Sequence, residues 1–97
     1  MVIQMLKTEW VKYYKVKEGQ GVREIAEHFS VSPYLLVKCN GLCEEPSAGS
    51  ILEIPTERGD FYTVQEGDTK RLLCGSAENY EKRNGTDIFY IGMRVIL

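Results

Sequence analysis

Residues 13–55 read YYKVKEGQGVREIAEHFSVSPYLLVKCNGLCEEPSAGSILEIP, and this stretch decides the fold. It opens on Tyr13-Tyr14-Lys15-Val16 and closes on Ile51-Leu52-Glu53-Ile54, two alternating runs with the period-two pattern of half-buried strands, the second stopped by Pro55. Between them the spacing predicts two short helices. The first follows Gly19-Gln20-Gly21 and sets Val22, Ile25, Ala26 and Phe29 at i, i+3, i+4 and i+7, one apolar stripe to lay against the strands. The second is punctuated at both ends. Ser32 supplies a capping hydroxyl, Pro33 fits the first helical position, and Asn40-Gly41 offers left-handed backbone to stop it, with Leu36, Val37 and Cys39 among its apolar residues. The expected class is therefore α+β, in the order strand, helix, helix, strand.

That order resembles the lysin motif (LysM) family. The resemblance is carried by Tyr14, Val16, Gly19, Ile25, Ala26, Phe29, Val31, Ser32, Leu36, Asn40, Gly49, Leu52, Ile54 and Pro55, which fall in sequence at that family's spacings. It implies a βααβ unit with two helices on one face of a two-stranded antiparallel sheet.

Working outward, residues 61–97 read as a shortened second copy. Phe61-Tyr62-Thr63-Val64-Gln65-Glu66-Gly67-Asp68-Thr69 repeats the opening around Tyr14 to Gly21, Asn84-Gly85 repeats Asn40-Gly41, and Ile91 to Leu97 repeats the glycine-led final strand. The middle is reduced: Thr69 to Asn84 is 15 steps where Gly21 to Asn40 is 19, a loss of about one helical turn. One helix must be truncated. Leu72, Leu73 and Cys74 make a short stripe, Gly75 is the turn, and Ser76 caps a second piece through Glu78, Tyr80 and Lys82. Residues 56–60 form a short polar linker that favours packed neighbours, and residues 1–12 are expected to pack on the units through Trp10, as helix or strand.

Composition sets limits on function. A chain of 97 residues with net charge -2 and mixed charges gives no electrostatic reason to expect nucleic acid, and no apolar run is long enough to span a membrane. The amino end has no basic region or small-residue cleavage site of a signal peptide, which favours the cytoplasm, or a cell-wall or spore-associated place if the chain is exported by another route or is truncated. Three cysteines cannot complete internal disulfides, and with the lone His28 on another helix they do not suggest zinc; Cys39 is read as a small core residue.

The LysM resemblance implies binding of N-acetylglucosamine-containing glycans, such as peptidoglycan or chitin, between the loop after the first strand and the loop before the second. The matching positions are Gly19, Gln20, Gly21 and Val22 with Asn40, Gly41, Leu42, Cys43 and Glu44, and in the second copy Gly67, Asp68, Thr69 and Lys70 with Asn84, Gly85, Thr86, Asp87 and Ile88. Each set has a plainer reading beside it. Gln20-Gly21 replaces the family's Asp-Thr, Asp68-Thr69 serves equally as a helix cap, and Asn-Gly ends a helix without any ligand. Among the aromatic residues, Tyr13, Tyr14, Tyr34, Tyr62, Tyr80, Tyr90 and Trp10 are candidate stacking faces or packing residues, and Phe89-Tyr90-Ile91 either fills the space of the missing turn or meets a partner. No nucleophile is placed beside His28, and Glu44-Glu45 reads as a solvated turn more simply than as a hydrolytic pair, so neither catalysis nor a cofactor is expected. The rival to glycan binding is a cytoplasmic scaffold that packs on a protein partner, for example in spore-coat or envelope assembly. A homodimer through the Trp10 segment or Ile88 to Ile91 is compatible with either.

Overall fold

The computed structural model describes residues 12–97; the segment expected to dock through Trp10 lies outside the described residues. Eight elements follow in order: β1 (Lys12–Lys15), α1 (Val22–Phe29), α2 (Pro33–Asn40), β2 (Ile51–Ile54), β3 (Phe61–Thr63), α3 (Lys70–Cys74), α4 (Ala77–Asn84) and β4 (Arg94–Ile96). β1 pairs antiparallel with β2, Lys12 opposite Ile54 and Lys15 opposite Ile51. β3 pairs antiparallel with β4, Phe61 opposite Ile96 and Thr63 opposite Arg94. The architecture is small α+β, two two-stranded sheets with four helices, and each half runs strand, helix, helix, strand.

The duplication reaches individual hydrogen bonds. Val16 N–H donates to Ser50 O at 2.8 Å while Gly49 N–H returns to Val16 O at 2.8 Å; in the second half Val64 N–H donates to Met93 O at 2.9 Å and Gly92 N–H to Val64 O at 2.8 Å. Gly49 and Gly92 take φ of 91° and 90°, backbone that a side chain would strain, so both final strands are entered through the same glycine turn.

Each half has its own core. In the first, the α1 stripe buries Ile25 and Ala26 with Val22 and Phe29 packed at the margin, and Val16, Val31, Leu36, Leu52 and Ile54 complete the cluster. The second core is smaller, built from Val64, Tyr80, Met93 and Val95. α3 is the truncated helix, five residues against eight in α1. Beside this short helix Tyr80 is fully buried, and Phe89 meets its ring edge-on at 5.2 Å. The Phe89-Tyr90-Ile91 run is thus divided, since Tyr90 and Ile91 stay exposed. Burial pushes the Tyr80 phenol up to about 12, with smaller contributions from Cys74, Tyr34 and Tyr90, and its hydroxyl donates to Ile88 O at 2.6 Å.

Two packing expectations are corrected. Cys39 is exposed, because Asn40 turns toward β2 and the preceding residue lies 100° round the helix, outside the core. Its thiol is pushed up by partial burial and then by the neighbouring Glu53 carboxylate. Leu72 is also exposed; Leu73 and Cys74 are the residues of α3 that pack.

The halves are joined tightly. Ser32 Oγ, which caps α2 by accepting from Tyr34 and Leu35 N–H, donates to Asn84 O at 2.6 Å in a buried bond. The linker is tied to the first half by the Val31–Arg58 bridge and by Gly59 N–H to Ser30 O at 3.2 Å, and to the second by Leu97 N–H to Asp60 O at 3.1 Å. An exposed ion pair, Arg94 to Glu27 at 3.1 Å, crosses between the units, and the Arg94 guanidinium also lies 4.6 Å from the Phe61 ring centre.

Candidate functional site

The loop after each first strand is held by one acceptor. In the second unit Asp68 Oδ2 accepts from Tyr62 hydroxyl at 2.6 Å and Gln65 N–H at 2.7 Å. In the first, Gln20 Oε1 accepts from Tyr14 hydroxyl at 2.7 Å and Lys17 N–H at 2.9 Å, so the amide reproduces the carboxylate's two bonds. The Tyr62 hydroxyl and then the Gln65 amide hold the Asp68 carboxyl below the usual carboxylate range, while the same contact raises the Tyr62 phenol. Thr69 caps α3 by accepting from Leu72 N–H at 3.0 Å.

α1 lacks that cap, since Gly21 occupies the position. A carboxylate from the opposite loop stands in: Glu45 Oε1 accepts Val22 N–H at 2.7 Å, and Glu24 Oε1 accepts Gly21 N–H at 3.3 Å. An anion at a helix N-terminus is favoured by the unpaired amides and by the helix dipole. A Cβ on Gly21 would lie 3.0 Å from Glu45 Oε1, so the missing side chain leaves room for this one. Glu45 is the exposed loop residue that the sequence suggested, and it also caps a helix, a role its position in the sequence does not show.

The two asparagines are turned away from the loops. Asn40 Nδ2 donates to Leu36 O and Glu53 O, each at 2.9 Å, and its Oδ1 accepts Glu53 N–H at 2.7 Å. Asn84 does the same with Tyr80 O at 3.2 Å, Ile96 O at 3.1 Å and Ile96 N–H at 2.7 Å. Each fastens the end of its second helix to its final strand.

A cavity of about 710 Å³ lies between the units, a size that suits small ligands. Its first wall comes from α1 (Val22, Arg23, Ala26, Glu27), the start of α2 with Val37, and the loop Leu42 to Glu45. Its second wall is Phe61, Tyr90 and Gly92 to Arg94. Of the first expected set, Val22, Leu42, Cys43 and Glu44 line it, whereas Gly19, Gln20, Gly21, Asn40 and Gly41 do not. Gly67, Asp68, Thr69, Lys70, Asn84, Gly85, Thr86, Asp87 and Ile88 line neither this cavity nor a smaller one of about 310 Å³ beside Cys74 and Arg83. Lys70 instead pairs with Glu81 at 3.1 Å and lies over the Tyr80 ring, and Thr86 Oγ1 accepts Ile88 N–H at 3.2 Å.

Sequence reasoning did not single out Glu27, Phe61 or Arg94, whose positions depend on how the units dock. Tyr34 and Tyr90 were among the aromatic residues that the sequence offers as stacking faces or packing residues. Among the described residues no group of three or more His, Cys, Asp or Glu side chains is placed to hold a metal ion, and no helix is long and apolar enough to cross a membrane.

No protein-family model matches the chain, and no curated protein matches it. Among solved structures, the spore cortex-lytic enzyme SleL of Bacillus cereus is similar at 25% identity with a TM-score of 0.45, over 91% of this chain and 23% of that one. The chain thus spans under a quarter of that enzyme's length.

Proposed function

We propose that this chain is a non-catalytic carbohydrate-binding module of LysM type that recognises N-acetylglucosamine-containing cell-wall glycans, peptidoglycan or chitin. The observation that carries the reading is the cavity bounded by Val22 at the start of α1 and by Leu42, Cys43 and Glu44 on the facing loop, four of the nine residues at which the resemblance puts sugar contact in the first unit. Its chemistry suits an acetylated sugar. Apolar side chains (Val22, Val37, Leu42) accept the acetamido methyl, and the flanking Arg23 and Glu44 bond hydroxyls. A single shallow site of this kind binds in roughly the micromolar to millimolar range.

A second reading, a scaffold for a protein partner in envelope or spore-coat assembly, is favoured by one observation: Glu45 already holds the Val22 amide, a donor that a sugar would otherwise meet. Titrating ¹⁵N-labelled protein with soluble chitin and peptidoglycan oligomers separates the two. Saturable shifts at Val22 and Leu42 to Glu44 support the glycan module; no shift with either oligomer refutes it in favour of the scaffold.

A further inference from the structure

The polar groups inside each unit are already committed. Glu45 is bonded to Val22 N–H, and the Asn40 and Asn84 side chains are spent on the final strands. The open volume lies elsewhere, between the units, with walls of different origin. Resting on the glycan reading above, we propose that the sugar chain seats between the two units, with Tyr34 from the first and Tyr90 from the second as its stacking faces, so that the shortened second unit completes the site.

Tyr34 stands in the first turn of α2 and is 38% exposed; Tyr90 precedes the turn into β4 and is 57% exposed. Both line the cavity, Tyr34 from the first unit and Tyr90 from the second. A tyrosine ring presents a flat apolar face with a hydroxyl at its tip, which matches the mixed surface of a pyranose ring. The half-buried Val22, Val37 and Leu42 give apolar area in the same cavity for acetamido methyl groups. The walls are fixed before any ligand arrives. The buried Ser32–Asn84 bond and the linker bonds Gly59 N–H to Ser30 O and Leu97 N–H to Asp60 O hold them in register, which reduces the ordering cost of binding.

Charge selects the kind of oligomer. Glu27 is matched by Arg94, and Glu45 by a helix N-terminus, leaving Arg23 and Glu44 as opposite charges on the rim. Nothing in that lining concentrates positive charge for an anionic chain. The occupant is an uncharged N-acetylglucosamine oligosaccharide.

Chitohexaose is the probe, titrated into the ¹⁵N-labelled chain and into Tyr34→Ala, Tyr90→Ala and, as an exposed control outside the cavity, Leu72→Ala. Amides of Tyr90 to Arg94 are expected to shift together with those of Val22 and Ala26, on one isotherm. Each tyrosine variant, both sites being exposed, should keep a native spectrum and bind roughly 3- to 10-fold more weakly, the range for losing one aromatic contact; Leu72→Ala should bind as the parent does. Shifts confined to Gly19 to Val22 and Asn40 to Glu44, with unchanged affinity in Tyr90→Ala, overturn the shared site and leave glycan binding standing. Absence of any shift overturns the glycan reading, and the shared site with it.

Discussion

Replacing Asn84 by alanine should be among the most damaging single substitutions in the chain, and it should cost more than the same change at Asn40. The Asn84 amide satisfies Ile96 N–H at 2.7 Å and Ile96 O at 3.1 Å, in surroundings where Asn84 is 2% and Ile96 0% exposed. Alanine leaves a buried donor and a buried acceptor without partners, and each such group costs about 1–3 kcal/mol. Relaxation recovers part of this, so a loss of about 3 kcal/mol is expected, a drop in melting temperature of roughly 15 °C for a chain of this size. Asn40 makes the matching bonds to Glu53 at 2.7 and 2.9 Å, but in a half-buried position that water can reach. Asn40→Ala should therefore cost about 1–2 kcal/mol. Urea unfolding followed by circular dichroism, with the slope compared across variants, reads both values. A loss below about 1 kcal/mol for Asn84→Ala, or an equal loss at both positions, would refute the assignment of these side chains as clamps. The same pair tests function: a clamp at Asn40 leaves chitohexaose affinity of the folded variant within twofold of the parent (about 0.4 kcal/mol), whereas a sugar-contacting Asn40 does not.

Two further outcomes follow from local geometry. Gly85 has φ of 70° and a Cβ there would come within 2.7 Å of Leu35 Cδ2, so Gly85→Ala should lose about 2–4 kcal/mol from left-handed strain plus overpacking at the contact between the units, measured in the same urea assay. Asp68 titrates lower in the folded chain than in the unfolded one, so its bond to Tyr62 contributes stability that is present above the ordinary carboxylate range and lost as pH falls through the depressed folded value. Asp68→Asn should flatten that part of the acid limb of a stability-against-pH curve, and an unchanged limb would show that the carboxylate is not the titrating group.

Much of the fold was legible because its boundaries are set by local chemistry. Ser32-Pro33 and Asn40-Gly41 bracket α2, and Gly75-Ser76 separates α3 from α4, each through a cap or a left-handed turn that neighbouring residues alone decide. Cys39 was misread for a related reason: apolar spacing along α2 does not show that Asn40 claims the face toward β2. The site was less legible than the fold. Gln20 looked like a loss relative to Asp68, yet its longer side chain reaches the same hydroxyl and the same amide position. Glu45 acts on a helix distant in sequence, and the cavity exists only once Arg94 and Tyr90 have been brought against α1 and α2. Such pairings depend on docking, which no period or cap in the sequence encodes.

The Glu45 carboxylate resting where Gly21 has no side chain makes these two positions an interdependent pair. Any residue larger than glycine at 21 makes the exposed Glu45 carboxylate give way by a few tenths of an ångström, and removing the acid alone leaves the Val22 amide without that partner. Neither change is neutral by itself, while both together, a threonine at 21 with a small residue at 45, restore the arrangement that Thr69 has in the other half. The two positions are therefore coupled: the loss on changing both together should be smaller than the sum of the two single losses.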